Sequence, residues 1–279
     1  MILIADSGST KTNWVALNNK GKEVFIAKTK GLNPAVFKKK VLIKRILTNE
    51  KLTSHKESVE TIYFYGAGCS TKAPKKIIKK VLQSIFKNAK IYVKEDTEAA
   101  VFSVTTNPAI VCILGTGSNC SFFDGVTIHQ KIKSLGYSIM DEASGNYFGK
   151  VLLQDYFYNK MPIDFAEGFM RNYNLSPSKI KNNLYKKENP NTYLASFSHY
   201  LVDNKDCEYA QQIIKNGLKL FIENHILQYD DSKTLPIHFI GSLAFYLEDE
   251  IKNIFNQYNL KLGKIERRPI HGLVKYHLK

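Results

Sequence analysis

The sequence predicts an α/β protein made of two related units. Three observations carry that expectation. Short apolar runs alternate with amphipathic stretches along the chain. A strand, a turn of small residues, a second strand, a turn and a third strand occur near residues 1–27 and again near 109–131. The 279 residues, 44% of them hydrophobic, are enough for one large domain or two smaller ones.

Taken in order, residues 1–6 read as a buried strand, 7–11 as a turn, 12–17 as a strand, 18–22 as a turn and 23–27 as a third strand. The run GLNP at 31–34 breaks the chain. Residues 35–48 then read as a helix whose Val36, Val41, Leu42, Ile43 and Leu47 form an apolar face among lysines. A strand over 58–65 ends in Gly66-Ala67-Gly68, a helix covers 73–87, and a short strand over 90–93 ends at Glu95-Asp96-Thr97. Residues 97–105 suit a short helix with Asp96 or Thr97 near its cap.

The opening pattern then recurs as strand 109–114, turn 115–118, strand 119–123, the tight turn Asp124-Gly125 and strand 126–129. Helical patterning covers 144–159, 162–172, 176–185, 191–203 and 206–228. A strand over 236–240 ends in Gly241-Ser242. A helix follows at about 243–257, then a strand over 260–265 and a terminal helix over 269–278 with Pro269 near its start. The repeat places a boundary near 106–109. This gives an N-terminal domain over 1–107 and a C-terminal domain with helical insertions over 108–279, whose terminal helix can pack back on the first.

No run of 18 uncharged apolar residues exists, and the N-terminus lacks a basic segment followed by an apolar stretch. The expectation is a cytoplasmic chain with no membrane partner. The four cysteines, Cys69, Cys112, Cys120 and Cys207, form no CxxC pair and read as reduced thiols. The net charge of +15 is nearly all lysine, with arginine only at 45, 171, 267 and 268. Arginine is the residue that grips bases and phosphates in two-pronged fashion, so the composition argues against a nucleic-acid partner. Solvated helix faces and a Lys-, Asn- and Ile-rich composition account for the lysines, and the field they make attracts anionic substrates.

The stretch DSGSTKTNW at 6–14 is not a phosphate loop of the GxxxxGK[ST] kind, because the spacing fails and a strand follows where a helix should. It reads as a hairpin turn suited to phosphate. Gly8 lets a ligand approach the backbone. Ser7, Ser9, Thr10 and Thr12 offer hydroxyls, successive N–H groups can form an anion nest, and Lys11 can add a charge. Asp6, at the strand end, can hold a hydrated Mg²⁺. The second turn, Gly115-Thr116-Gly117-Ser118, has almost no side-chain bulk. Facing each other across a cleft, the two turns would grip a polyphosphate, and the pair Gly241-Ser242 would leave room for a purine ring.

These three motifs, in this order, resemble the sugar kinase/actin/heat-shock-protein superfamily. Within it the chain resembles the BadF-type ATPase and N-acetylglucosamine kinase family. The closest stretch is the ILGTGSNC of 113–120, followed by Gly136-Tyr137 and the run MDEASGNYFG at 140–149. The family has a similar GTGSNC turn and then a GW…GDEGS-type run, in which Tyr137 here replaces Trp, Met140 replaces Gly and Ala143 the next Gly. The resemblance covers most of the chain, is specific over 1–150 and is weaker after 160.

The resemblance implies two ribonuclease-H-like (actin-like ATPase) domains around a nucleotide cleft, with ATP and Mg²⁺ as cofactors and an amino sugar as substrate. The reaction it implies is transfer to N-acetylglucosamine, giving the 6-phosphate. It implies that Asp96 is the catalytic base, a role that suits a carboxylate beside a poorly nucleophilic hydroxyl. Glu95 and Glu98 compete for that role. For the sugar it points to Asn33, Gly68, Thr116, Gly117 and Asp141 together with Asp96. A homodimer is common in the family. Members that carry an iron–sulfur cluster need closely spaced thiolates, which this chain lacks. A sugar-independent ATPase and a non-catalytic, nucleotide-dependent sensor of the same fold remain alternatives.

Overall fold

The computed structural model describes residues 1–8 and 10–278, and within them two compact units. The first comprises residues 1–106 and the segment from Arg268 onward; the second is Asn107–Arg267.

The first unit opens with β1 (Ile2–Ser7), β2 (Lys11–Leu17) and β3 (Glu23–Lys30) as an antiparallel meander. The helices α1 (Lys39–Leu47) and α2 (Glu50–Ser54) lead to β4 (Thr61–Gly66). Next come α3 (Lys72–Ile85), β5 (Lys90–Glu95) and α4 (Asp96–Val104). The sheet order is β3-β2-β1-β4-β5, with β4 parallel to both β1 and β5. Successive strand residues face opposite sides of a sheet, and this alternation builds two cores. Leu3, Ala5, Trp14, Ile62 and Phe64 face Leu42 and Ile46 of α1 and Ile78 and Leu82 of α3. Ile4, Val15, Leu17 and Tyr65 pack with Ala99 on the opposite side.

The second unit repeats the plan. Strands β6 (Ala109–Leu114), β7 (Ser118–Phe123) and β8 (Ile128–His129) form its meander. Five helices follow: α5 (Gly145–Phe157), α6 (Ile163–Asn172), α7 (Pro177–Tyr185), α8 (Pro190–Asp203) and α9 (Glu208–Phe221). Then come β9 (Ile237–Ile240), α10 (Ser242–Tyr246), α11 (Glu248–Gln257) and β10 (Leu262–Glu266). The order β10-β9-β6-β7-β8, with β9 parallel to both neighbours, is the same order and pattern of directions as in the first sheet. The fold is α/β with two mixed five-stranded sheets of one plan, as the repeat in the sequence leads one to expect, and that plan agrees with the ribonuclease-H-like domains the resemblance implies. The last helix, α12 (Pro269–His277), belongs to the first unit, where Ile270 and Leu273 complete the core of Ile4 and Tyr65.

Local chemistry moves several boundaries. The third strand expected over 126–129 shrinks to two residues, because Asp124 Oδ1 accepts the N–H groups of Val126 and Thr127 at 2.7 and 2.6 Å. The helix expected over 206–228 changes pitch at Ile222–Ile226, which forms a π-helical turn. The helix expected at 243–257 breaks at Leu247. A short helix after residue 49 was not expected; Asn49 caps it by accepting Leu52 N–H at 3.2 Å. Among the described residues no helix is long and apolar enough to cross a membrane.

Candidate functional site

In the first unit the parallel register sets Asp6, Tyr65 and Lys94 in one row across β1, β4 and β5, and Ser7, Gly66 and Glu95 in the next. The C-terminal ends of parallel strands are where α/β sheets present ligand groups, and Asp6 and Asp96 lie there. Burial pushes the Asp6 carboxyl up to about 6. A hydrogen bond from the Asn13 side chain works against that shift, as do the charges of Lys11 and Arg268, while Asp96 adds to it. Burial likewise raises Asp96, partly offset by the Thr97 N–H that its Oδ1 accepts at 3.1 Å. The Asp96 charge raises Asp6, and a divalent cation beside the two carboxyls would relieve that repulsion. Among the described residues no group of three His, Cys, Asp or Glu could cage a metal. Two carboxyls at one strand end, beside an exposed hairpin turn, fit a Mg²⁺ ion held mainly by water and phosphate, the habit of that ion.

The competitors of Asp96 are committed elsewhere. Glu95 is the N-cap of α4 and forms a capping box with Glu98, whose Oε1 accepts Glu95 N–H at 3.2 Å. Lys75 lies 3.8 Å from Glu95 and Lys94 lies 2.9 Å from Glu98. No ion pair among the described residues involves Asp96.

The first hairpin divides its expected ligands. Ser7 and Thr12 are buried and bond to each other at 2.8 Å, and the Thr12 hydroxyl also donates to the Lys30 carbonyl at 3.3 Å. Ser7 Oγ accepts the Leu32 N–H at 3.0 Å as well. The Thr12 side chain, expected at phosphate, is tied into the frame of the hairpin. Gly8, Thr10 and Lys11 are exposed; Gly8 N–H closes the turn on the Lys11 carbonyl at 3.0 Å, and the Thr10 carbonyl accepts Gly31 N–H at 2.9 Å. Among the described residues, a Cβ added at Gly8 would meet only the Lys11 carbonyl, at 3.9 Å. Ser9 lies outside the described residues.

Asn33 and Gly68, far apart in sequence, are neighbours. Gly68 has φ +75°, and a Cβ there would lie 2.2 Å from Asn33 Oδ1. Only glycine occupies such a position without strain. Asn33 Oδ1 also accepts Ala35 N–H at 2.9 Å, so this asparagine shapes its own turn. The Arg45 guanidinium donates to the Gly31 carbonyl and stacks 3.6 Å over the Phe37 ring, which fixes the loop from behind.

In the second unit, α5 is docked on the second turn. The Gly115 carbonyl accepts Gly145 N–H at 2.8 Å and the Thr116 carbonyl accepts Asn146 N–H at 3.0 Å. Ser144 caps the helix by accepting Tyr147 N–H. Gly117 and Asp141 are brought together: a Cβ on Gly117 would lie 2.7 Å from Asp141 Oδ2. That oxygen accepts Asn146 Nδ2–H at 3.0 Å, and Ser118 N–H also reaches the carboxylate. Burial raises the Asp141 carboxyl, against those two donors. The Ser118 hydroxyl is buried without a partner among the described residues. Asp141 stands outside the helix, three residues before its cap Ser144. It has φ 75°, and Ala143 has φ 56°, in the turn before α5. Gly241, with φ +129°, lies against the Leu114 carbonyl, 2.1 Å from where its Cβ would be. The strand pair Ile113–Ile240 thus delivers Gly241 and the exposed Ser242 beside the Gly115 turn.

Three partners escaped the sequence reading. Asn13 holds Asp6 from the neighbouring strand, where the antiparallel register sets the two opposite each other. Asn146 holds Asp141. His225, in the π-helical turn, pairs with Glu142 at 2.9 Å and stacks on Phe221 at 4.9 Å. A π-turn is a recurrent mark of a functional position, but nothing in a sequence period announces it.

No family model matches the chain, and no curated protein does. Solved structures match over the full length. One from Porphyromonas gingivalis, provisionally described as an N-acetylglucosamine kinase, is 33% identical with a TM-score of 0.92, covering 100% of this chain and 99% of that one. A second, from Chromobacterium violaceum and with the same provisional description, is 14% identical with a TM-score of 0.75, over 100% and 98% of the two chains. A ROK family glucokinase from Streptomyces griseus, solved with glucose and AMPPNP, is 13% identical with a TM-score of 0.61, over 98% and 97%. The last two likenesses are of fold.

Proposed function

The chain belongs to the BadF-type ATPase and N-acetylglucosamine kinase family, and from that membership we propose that it is an ATP-dependent amino-sugar kinase acting on the 6-hydroxyl of N-acetylglucosamine. The observation that carries the proposal is the isolation of Asp96. Of three acidic residues at one strand-to-helix junction, two are held by a capping box and lysines, and the third has no lysine partner among the described residues and is met only by backbone N–H groups, its own and that of Thr97.

A sugar hydroxyl is a poor nucleophile, and a carboxylate within hydrogen-bond reach takes its proton as the phosphoryl group transfers. The raised affinity of Asp96 for protons brings it closer to the working pH and improves it as a base. Asn33 with Gly68, and Asp141 with Gly117, are proposed to bind the sugar; each pair joins a fixed polar side chain to a glycine that gives it room. Gly8, Thr10, Lys11 and Thr12 in the first unit and Gly115, Thr116, Gly117 and Ser118 in the second are proposed phosphate contacts. Gly241 and Ser242 are proposed to flank the nucleoside. Asp6 would hold Mg²⁺ through water, and the bound ion supplies neutralisation of phosphate charge. Asn13 and Lys11 keep Asp6 available as an anion by opposing the burial that protonates it.

The test is ADP formation by the purified chain against a panel of amino sugars. N-acetylglucosamine should stimulate ADP release strongly and yield a 6-phosphate by NMR. Turnover that ignores every sugar would assign the chain to the sugar-independent ATPases of the fold and overturn the kinase reading. Absence of turnover together with intact ATP binding would assign it to the sensors.

A further inference from the structure

The chain's charge is not shared between its units. The first contains 23 Lys and Arg against 8 Asp and Glu, which is the whole net charge of +15, while the second contains 17 of each and is neutral. A lysine-rich composition alone would raise both. The excess is concentrated on one helical layer. Helices α1 and α3 contain no acidic residue at all. Both bury one stripe in the same core, Leu42 and Ile46 from α1 and Ile78, Val81, Leu82 and Ile85 from α3, so their outer stripes point away from the same side of the sheet. On α3 that outer stripe is Lys72, Lys76, Lys79 and Lys80, followed by the exposed Lys87 beyond the helix; on α1 it is Lys39, Lys40 and Lys44.

This placement works against the fold. Lysines in the first turn of a helix oppose its dipole, and lysines spaced four apart repel each other. A face kept only for solubility would intersperse both signs. Interleaved with the α1 lysines are Val36, Val41 and Leu47, each 40–50% exposed. Among the described residues no exposed aromatic ring lies on this side: the exposed Tyr92 stacks with Tyr63, which also stacks on His277 and so faces the opposite core. The two arginines of the unit are not part of the stripe; Arg45 is turned to Gly31 and Phe37, and Arg268 acts on Asp6. Lysines with protruding aliphatic side chains, and neither arginine forks nor aromatic platforms, match an anionic lipid surface better than a nucleic acid, which is held by arginine and by base stacking.

We propose that the α1–α3 face of the first unit docks the protein on an anionic membrane surface, the lysines meeting lipid headgroups and Val36, Val41 and Leu47 entering the interface. The inference is independent of the reaction proposed above.

Vesicle co-sedimentation of the full chain tests it. Vesicles with about one-third phosphatidylserine should bind the protein, and pure phosphatidylcholine vesicles should not; raising salt from about 50 to 300 mM should weaken binding steeply as the headgroup field is screened. The triple variant K72Q/K76Q/K79Q should lower the partition coefficient about a hundredfold, at roughly fivefold per lysine. The variant V41S/L47S should lower it several-fold while leaving salt sensitivity intact. All five positions are solvent-exposed and outside the proposed site, and unchanged circular dichroism and ATP turnover would certify folding. Equal binding to neutral vesicles, no binding to anionic ones, or wild-type partition of the lysine variant would overturn the proposal. Tighter, salt-sensitive binding of an RNA oligonucleotide that V41S/L47S leaves unchanged would replace the membrane with nucleic acid.

Discussion

His225 Nε2 lies 2.9 Å from Glu142 Oε2, although 83 residues separate the two in sequence. The histidine is buried and stacked on Phe221, and Asn224 reaches the other Glu142 oxygen at 3.5 Å. Burial would raise the Glu142 carboxyl, but these partners and the local backbone hold it below its ordinary range. The pair ties down the turn in which Asp141 and Ala143 both carry positive φ, beside the Asp141 carboxylate that Asn146 and the Ser118 N–H hold near Gly117.

It follows that His225→Ala should raise the KM for the sugar by about tenfold while the KM for ATP stays within about twofold, since a loosened turn costs orientation more than chemistry. His225→Gln, which can still donate to Glu142, should recover most of the loss. Equal losses for both substrates would show that the pair acts only through stability.

Asp96→Asn removes the proposed base and keeps the shape. The expected result is a fall in kcat of about 10²–10⁴ with ATP binding unchanged. Glu95→Gln and Glu98→Gln should instead lower the melting temperature by a few degrees, because they weaken the cap of α4 at a cost of about 1 kcal/mol. Loss of turnover in Glu98→Gln with Asp96→Asn active would transfer the role.

Asp6 yields a pH prediction of definite sign. Its carboxyl is held near 6 in the fold against an ordinary value of 3.8. Between those values the folded chain holds a proton that the unfolded chain has released, so this group favours folding most below 3.8 and loses that contribution as pH rises through 6. Asp6→Asn should therefore stabilise the ligand-free protein at pH 7.5 by roughly 1–3 kcal/mol and flatten its stability between pH 4 and 6. The same variant should lose activity through weakened Mg²⁺ and ATP binding. A melting temperature at pH 7.5 that is unchanged or lower would refute the assignment.

The glycines separate packing from ligand contact. Gly68→Ala places a methyl group in Asn33 and demands a positive φ; Gly117→Ala places one against the Asp141 carboxylate. Both should raise the sugar KM by tenfold or more. Gly8→Ala has room inside the protein, so it should melt within about a degree of wild type and show its effect in ATP affinity alone. Calorimetric titrations with sugar and nucleotide distinguish the three.

How much of this was legible in the sequence follows from how local each feature is. The alternation of residues 1–6 and 12–17, the small-residue turns and the Gly–Ser punctuation after residue 240 are local signals, and they place strands and hairpins in both units. The position of Asp96 at a strand-to-helix junction is local too. What distinguishes Asp96 from Glu95 and Glu98 is not: Lys75 reaches in from another helix to hold Glu95. A hydroxyl's neighbours cannot be seen in a string of letters: the hydrogen bond between Ser7 and Thr12 and the burial of the Ser118 hydroxyl depend on the closed hairpins.

By itself, then, the sequence determined the α/β class, the repeated meander and the residue types available for chemistry, since these depend on side-chain periodicity and turn propensity within a few residues. Only the tertiary structure decided which polar groups are already partnered, which carboxyls are desolvated enough to hold a proton, and that the Glu142–His225 pair and the acid-free lysine layer exist. Those properties arise when segments tens of residues apart exclude water from one another, a consequence of packing that no local pattern encodes.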